Sequence, residues 1–266
     1  MVTHKNTPKD RKIDVILGIP VDSTPEDVLL KRLLSFIKIK KQFFIVTPNP
    51  EIILLAQNDS DLKKALNFAD ISIPDGTGLI FAASVLNLNL KSRIPGRKFM
   101  EHLFELANTH KLKIYLLGGS HAVITGSLAR MKKKYPSLVA KGMEGPKLGQ
   151  DGKPVDGEAL EIERKVTSAI NSFKPDILFI GFGAPKQEKW FSLNRMHLAV
   201  GGAMVVGGSL DVYSGQKSQS PELLNRLGLE WLWRVATEPK RLFRIMNAVL
   251  VFPTLIFKEK ARQLLG

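Results

Sequence analysis

Asp75 is the residue of this sequence best placed to do chemistry. It follows a short apolar run that ends at Ile73, and it precedes Gly76 and Gly78. A carboxylate just after a strand can reach a bound ligand, and glycines beside it let the backbone approach that ligand closely. Asp75 could therefore remove a proton from a hydroxyl group as a general base. Asp is also preferred at helix N-caps, so capping is a competing interpretation, and the two roles can coexist.

Two glycine-containing segments could bind phosphate. Gly118-Gly119-Ser120 follows an apolar run and could hold a phosphate with backbone N–H groups. Gly181–Glu188 is typical of a strand end followed by a helix N-terminus, which favours anions. It is not a full dinucleotide fingerprint, because Lys186 stands where the third glycine is expected, and a plain strand-to-helix turn is the alternative. Gln187 could hydrogen-bond a sugar or a phosphate.

Arginines and paired acids provide weaker signals. Arg93 and Arg97 flank Pro95-Gly96, and arginine forks suit phosphate, although a solvated basic loop would have the same pattern. Asp59-Ser60-Asp61 matches the Asp-x-Asp pattern of metal-dependent sugar transferases, but its position between helical stretches favours a turn with capping carboxylates. The five histidines show no metal-ligand spacing. We therefore expect no metal and no cofactor.

The C-terminal segment combines aromatic, basic and apolar residues. Residues 221–235 are amphipathic with helical spacing and include Trp231 and Trp233. Three arginines accompany them: Arg234, Arg241 and Arg244. This combination suits a membrane interface, and a helix packed on the core with its arginines in water is the alternative. The following apolar run, Ala248–Phe257, favours a membrane or protein interface; it is too short to span a bilayer, and we expect Pro253 to break it.

Alternating strands and helices must position these segments. Six apolar runs predict strands: Asp14–Ile19, Gln42–Val46, Asp70–Ile73, Lys113–Leu117, Asp176–Ile180 and Leu198–Val200. Helical periodicity between them predicts helices: Glu26–Ile39, Lys98–His110, Ala122–Tyr135 and Asp156–Phe173. The alternation predicts an α/β, Rossmann-like fold with a mostly parallel sheet flanked by helices. Ligands then bind beyond the carboxyl ends of the strands, so we expect the site in the loops there, Gly201-Gly202-Ala203 among them.

Composition narrows the class of protein. The 266 residues, 44% of them apolar, fit one large domain with an appendage. We divide the chain into a polar tail (1–12), a Rossmann-like catalytic domain (13–215) and a basic, helical, membrane-targeting appendage (216–266). The absence of cysteine excludes disulfides and favours a reducing compartment, and no signal peptide or membrane span is predicted. A net charge of +14 suits a nucleic acid, an anionic lipid or a phosphorylated substrate.

The loop motifs, taken together, resemble the WecG/TagA/CpsF family of bacterial glycosyltransferases, glycosyltransferase family 26. The motifs recur in order over about Asp14 to Phe257: Thr47-Pro-Asn49-Pro, Pro74-Asp75-Gly76-Thr77-Gly78, Arg93-Ile-Pro-Gly96, Gly181-x-Gly183-x-Pro185-Lys-Gln187-Glu188, Gly201-Gly202-Ala203 and Gly228-Leu-Glu-Trp231-Leu-x-Arg234. The chain departs from the family near Asp211, where Leu210 replaces the usual Phe and Gln219-Ser220-Pro221 lacks the usual arginine.

The resemblance implies an inverting, metal-independent enzyme. It would transfer N-acetylmannosamine, or a related sugar, from a UDP-sugar to a polyprenyl-diphosphate-linked N-acetylglucosamine during synthesis of teichoic acid or polysaccharide. The implied catalytic residues are Asp75 as the base, Thr47 and Gln187. Donor or substrate contacts are implied for Asn49, Arg93, Gly118, Gly119, Gly183, Lys186, Glu188, Gly202 and Asp211. Contacts with lipid diphosphate or head groups are implied for Arg234, Arg241 and Arg244.

The expected partners are the two substrates and an anionic membrane surface, with a homo-oligomer left open. The expected location is cytoplasmic, peripheral on the inner face of the cell membrane. Two other classes compete on the residues alone. A nucleotide-sugar epimerase or oxidoreductase would share the Rossmann fold, but the glycine fingerprint is incomplete. A nucleic-acid-binding protein would fit the charge, but no nucleic-acid-reading motif accompanies it, so we expect no nucleic acid partner.

Overall fold

A computed structural model describes residues 11–221, 224, 230–237 and 242–265 of the chain. The strands in these ranges are β1 Ile13–Ile16, β2 Ile19–Asp22, β3 Phe43–Val46, β4 Ile71–Ser72, β5 Ile114–Leu117, β6 Ala140–Met143, β7 Ile177–Ile180 and β8 Gly202–Val205. The helices are α1 Glu26–Lys38, α2 Pro50–Gln57, α3 Ser60–Phe68, α4 Thr77–Leu86, α5 Gly96–His110, α6 His121–Lys134, α7 Gly157–Phe173, α8 Lys186–Asn194, α9 Ser209–Ser214, α10 Glu230–Thr237 and α11 Leu242–Leu265. A 3₁₀ turn, Arg195–His197, follows α8.

Six of the strands form one parallel sheet in the order β4-β3-β8-β7-β5-β6. Side chains on β3 alternate between two apolar clusters: Phe44 and Val46 belong to one, and Phe43 and Ile45 to the other. Alternation places successive residues on opposite faces, so both faces of this sheet are covered. The α/β prediction is confirmed, and all the carboxyl ends of these strands lie along one edge.

Two strand predictions were wrong. The run Asp14–Ile19 is not one strand: β1 and β2 form an antiparallel hairpin that turns at Leu17 and Gly18, both with positive φ. The run Leu198–Val200 is not a strand either, because the strand begins at Gly202. The ring of Phe43 lies against Gly202, where an added Cβ would come within 2.4 Å of ring atoms. The close packing of β3 on β8 therefore requires glycine at position 202. The sequence analysis had placed this glycine in a loop.

The C-terminal helix α11 packs against α2 and α4. Its residues Phe252 and Ile256 are fully buried and belong to the same apolar cluster as Val46. The expected break at Pro253 does not occur, and α11 continues through it. A proline removes one backbone hydrogen bond of a helix, and the buried residues on both sides of this one hold the axis in place. The buried side of α11 is thus part of the main core.

The first two described residues, Arg11 and Lys12, are fixed to the main fold. Arg11 and Lys12, assigned to the polar tail, are anchored: Arg11 donates two hydrogen bonds to the buried Asp22, at 2.6 and 2.8 Å. The backbone N–H of Lys12 donates to Thr24 Oγ1. The rest of the predicted tail, residues 1–10, lies outside the described residues. Within the described part of the chain, none of the helices has the length and apolar character needed to cross a membrane.

Candidate active site

The loops after β3 and β4 are tied together around Asp75. The backbone N–H of Asp75 donates to the Pro48 carbonyl at 3.0 Å, and that of Ile94 donates to the Pro74 carbonyl at 2.9 Å. A Cβ added to Gly96 would lie 3.1 Å from Thr47 Cγ2 and 3.6 Å from Asp75 Oδ2. The side chains of Thr47 and Asp75 therefore both approach Gly96 at the start of α5, where a larger residue than glycine would crowd them.

Asp75 and Asp59 were both candidates for helix caps, and of these two only Asp59 caps a helix. Gly76, and not Asp75, occupies the N-cap position of α4. Asp59 does cap α3, accepting a hydrogen bond from the Leu62 N–H at 3.0 Å, and it forms an ion pair with Lys189. The capping interpretation of Asp59-Ser60-Asp61 is confirmed. Within the described ranges, no group of three or more His, Asp or Glu side chains could hold a metal ion.

Asp75 lines a cavity of about 310 Å³ between these loops and α11. Its polar side is formed by Asn49, Glu51, Asp75, Thr77 and Arg93. Its apolar side is formed by Phe81, Trp231, Ile245, Ala248, Val249, Phe252 and Pro253. Asn49 also fixes the start of α2, since its side chain accepts from the Ile52 N–H at 2.9 Å. The sequence assigned Trp231 to a membrane interface, whereas the structure places it in the wall of this cavity.

The glycine-rich loops lie farther along the same edge of the sheet. Gly118 and Gly119 have φ of +100° and +80°, and Gly183 has +79°. A Cβ on Gly118 would come within 3.0 Å of the Gly181 carbonyl carbon, so the two loops touch through their backbones. Such an arrangement leaves peptide groups, and not side chains, to contact a ligand. Lys186, at the first position of α8, is half-buried beside them.

Gln187 connects the loop after β7 to the loop after β8. Its side-chain oxygen accepts hydrogen bonds from the Gly183 and Gly207 N–H groups, at 3.1 and 3.0 Å. Its side-chain nitrogen donates to Glu188 Oε1 at 3.0 Å. Gln187 is almost completely buried. These bonds favour a role in positioning the loops, in place of the direct catalytic role that the sequence suggested.

Glu188 lies behind this loop and is fully buried. Burial raises the pKa of Glu188 to about 7, while the hydrogen bond from Gln187 acts in the opposite direction. The positive charges of Arg244 and Lys189 also oppose the shift. Full burial argues against the direct donor contact expected from the sequence.

Gly202 was expected to contact the donor, and its place in the sheet does not favour such a contact. It pairs with Phe43 at the first residue of β8, so it lies at the amino edge of the sheet, opposite the cavity. Asp211 lies on α9, after the loop that follows β8, and its carboxylate is 3.9 Å from the amino group of Lys217. Its expected donor contact stays a prediction.

The model that describes the glycosyl transferase WecG/TagA/CpsF family matches residues 15–265. Similar proteins occur in Staphylococcus aureus strains NCTC 8325 / PS 47 and COL, both named N-acetylglucosaminyldiphosphoundecaprenol N-acetyl-beta-D-mannosaminyltransferase. Each is 30% identical over 253 residues, which cover 94% of this chain and 94% of the relative. The chain belongs to the WecG/TagA/CpsF family of glycosyltransferases. It is therefore a sugar-transferring enzyme.

The alternative of an epimerase or oxidoreductase fits this family member poorly. Tyr213 and Lys217 do have the Tyr-x-x-x-Lys spacing of such enzymes, in which a lysine helps the tyrosine to ionise. Here burial raises the pKa of the Tyr213 hydroxyl to about 12. Lys217 instead faces Asp211. A tyrosine must lose its proton before it can act as a base, so the raised pKa makes Tyr213 unsuited to that role.

The appendage arginines of this family member are described only in part. Arg244 forms an ion pair with Glu51, with 2.5 Å between Nε and Oε1. Arg234 falls in α10, and Arg241 lies outside the described residues. Glu51 was missed by the sequence analysis, although it stands two positions after Asn49 in a recognised motif. Only the fold brings it to Arg244, which is distant in the chain.

Proposed function

We propose that this enzyme transfers N-acetylmannosamine from UDP-N-acetylmannosamine to N-acetylglucosaminyl-diphospho-undecaprenol. The names of the Staphylococcus aureus relatives contain this acceptor and this transferred sugar. The observation that carries the proposal is the position of Asp75 in a cavity with a polar side and an apolar side. A polar side suits sugar hydroxyls, and an apolar side suits the lipid-linked part of the acceptor. The product belongs to the synthesis of a cell-surface polymer such as teichoic acid.

In the proposed step, a hydroxyl oxygen of the acceptor sugar attacks the anomeric carbon of the donor. The new oxygen–carbon bond forms as the bond between that carbon and the UDP oxygen breaks on the opposite face, which inverts the anomeric centre. Asp75 takes the proton of the attacking hydroxyl as general base. Thr47 lies beside the same carboxylate and helps to place the reacting groups.

The leaving UDP gains negative charge, which the protein must stabilise. The proposed donors are the backbone N–H groups of the Gly118-Gly119 and Gly183 loops, together with the Arg93 guanidinium in the cavity wall. Charge-assisted hydrogen bonds of this kind are about twice as strong as neutral ones. In this proposal the transfer needs no metal ion.

The outer face of α11 supports peripheral membrane binding. Exposed apolar residues recur there at helical spacing: Phe243, Met246, Leu250, Phe257 and Leu264. Phe243 is 76% exposed and Leu250 is 61% exposed, while the opposite face of the helix is buried in the core. Arg262 is also exposed on this helix. An apolar stripe with cationic neighbours suits the interface of an anionic bilayer, where the lipid-linked acceptor resides. We propose the inner face of the cell membrane as the location.

The activity is tested by UDP release. The purified enzyme is mixed with a panel of UDP-sugars and a short-chain prenyl-diphosphate-linked N-acetylglucosamine, and the disaccharide product is identified by mass spectrometry. We expect UDP-N-acetylmannosamine to give the highest kcat/KM. Release of UDP only with another sugar would contradict the proposed donor, and transfer to a free sugar without the lipid diphosphate would contradict the proposed acceptor.

Membrane binding is tested by vesicle co-sedimentation. We expect the double substitution Phe243→Ser and Leu250→Ser to reduce binding to vesicles that contain phosphatidylglycerol, because it removes two exposed apolar side chains. Met196→Ser is the control, since Met196 is 82% exposed on a different part of the surface. Equal binding of the double variant and the wild type would exclude the α11 stripe as the membrane contact.

A further inference from the structure

Glu51 is held rigidly at the edge of the cavity that contains Asp75. It is the second residue of α2, whose start is fixed by the Asn49 cap and by Pro50. Its side chain is 10% exposed and lines the cavity. A carboxylate in the first turn of a helix, close to a fixed cap, has little freedom to change position. Glu51 can therefore serve as a fixed point for a partner side chain.

That partner is Arg244 on α11. The contact joins Arg244 Nε to Glu51 Oε1 at 2.5 Å. Nε is the guanidinium nitrogen nearest the main chain, so this contact is made at the inner side of the guanidinium. The next residue, Ile245, is buried and lines the cavity. The contact with Glu51 thus holds the guanidinium beside the cavity.

A second acid, the buried Glu188, lies near this arginine. Glu188 is close enough for the charge of Arg244 to act on its ionisation. Arginine has a long side chain, and ordering it during ligand binding costs free energy. An arginine that is already held in place avoids part of that cost, and its planar fork matches the oxygens of a phosphate.

We propose that Glu51 is a positioning residue, which holds Arg244 so that Nη1 and Nη2 bind the diphosphate of the lipid-linked acceptor. The inference depends on the proposed function, because it takes a diphosphate-linked acceptor as the ligand. The opposite possibility is that the Glu51 carboxylate competes with the diphosphate for the arginine. The two make opposite predictions for a neutral residue at position 51.

The experiment compares Glu51→Gln with the wild type. Binding of a short-chain prenyl-diphosphate-linked N-acetylglucosamine is measured by calorimetry, and the KM values of both substrates are measured by UDP release. We expect acceptor binding to weaken about tenfold, the usual size of one lost charge-assisted hydrogen bond. We expect the KM of the UDP-sugar to change less than twofold. A purely structural role would affect both substrates alike.

Two further variants make the result specific. Arg244→Lys keeps the positive charge but lacks the fork, so it should weaken acceptor binding like Glu51→Gln, and the double variant should be no worse than Arg244→Lys alone. Glu161→Gln is the matched control, because it removes an acid that pairs with Arg164 on the exposed surface of α7. The control should leave acceptor binding unchanged.

Equal or tighter acceptor binding by Glu51→Gln would overturn the positioning role, as would equal changes in both KM values. The failure of this role is distinguishable from that of the proposed function. If the wild type transfers the sugar and Glu51→Gln binds the acceptor equally well, only the positioning role fails. If the wild type binds the prenyl diphosphate through Glu51 and Arg244 but transfers no sugar, only the proposed function fails. If the wild type does not bind the prenyl diphosphate, the positioning role is also overturned.

Discussion

The loops after β5 and β7 differ from those after β3 and β4 in what they offer a ligand. The first pair presents backbone groups, since Gly118, Gly119 and Gly183 have positive φ and no side chains. The second pair presents side chains, with Asn49 and Asp75 on the polar side of a cavity. In addition, α11 supplies an apolar wall to the second region.

Under the proposed function, this difference leads us to expect the two substrates in different regions. The diphosphate of a nucleotide needs many hydrogen-bond donors, which the glycine loops provide. A sugar carried on a lipid needs a base, a polar surface and an apolar wall, which the Asp75 cavity provides. We then expect the transferred sugar to lie between them, near the loop after β8, because β8 separates β3 from β7 in the sheet.

The largest expected effect is that of replacing Asp75, in the loops that present side chains. We expect Asp75→Asn to lower kcat about 10²–10⁴-fold, the usual contribution of a general base, because an amide cannot accept the proton. The affinity for UDP should stay within a few-fold, since the glycine loops are unchanged. Turnover is measured with both substrates saturating, and UDP binding is measured by calorimetry.

Asp61→Asn is the control for this substitution, because Asp61 is an exposed acid that pairs with Lys64 on α3. Turnover near that of the wild type in Asp75→Asn would remove Asp75 as the base. A loss of UDP affinity as large as the loss of turnover would show that the two regions do not divide the substrates as inferred.

A smaller effect concerns Glu188. This residue accepts a hydrogen bond from Gln187, and it is close enough to Arg244 for the charge of the arginine to affect its ionisation. The folded protein holds the proton of Glu188 more tightly than the unfolded chain, with a pKa of about 7 against an ordinary 4.5. The stability from neutral Glu188 is therefore fully present below pH 4.5 and is lost as the pH rises through 7. We expect the unfolding free energy of Glu188→Gln, relative to wild type, to rise by about 3 kcal/mol between pH 4.5 and 8.

Urea unfolding at several pH values measures this difference. Glu161→Gln serves as the control for losing one carboxylate, because Glu161 is exposed. A constant difference between Glu188→Gln and the wild type across this range would contradict the buried, neutral glutamate. A decreasing difference would mean that the ionised form is favoured in the folded state.

The sequence predicted the parallel sheet because four-residue runs such as Ile177–Ile180 are buried on both faces and have no polar residue. It missed β6, Ala140–Met143, because this edge strand has only two apolar side chains. The loops with Asp75, Asn49 and Arg93 were also recognisable, since each lies next to its strand or helix in the chain. Position along the chain was sufficient for these features.

Position along the chain was not sufficient for the cavity wall. The wall residues of α11, such as Phe252, lie far along the chain from Asp75, and their helical pattern fits both a membrane face and a core face. The structure shows that α11 has both: one side is buried against α2 and α4, and the other side is exposed. The pair of Glu51 and Arg244 depends on this packing, so no local motif could indicate it.

The smallest expected effect tests whether Gln187 holds the backbone region together. We expect Gln187→Ala to lower the unfolding free energy by about 1–3 kcal/mol, because the N–H groups of Gly183 and Gly207 lose their acceptor. The KM of the UDP-sugar should rise several-fold while acceptor binding changes little, since the Asp75 cavity is intact. Gln57→Ala is the matched control: Gln57 bonds the Leu17 carbonyl away from the site, so it should cost stability without changing the KM of the UDP-sugar. If instead kcat falls by as much as in Asp75→Asn while the KM of the UDP-sugar stays constant, Gln187 takes part in the chemical step. The glycine loops would then do more than bind the donor.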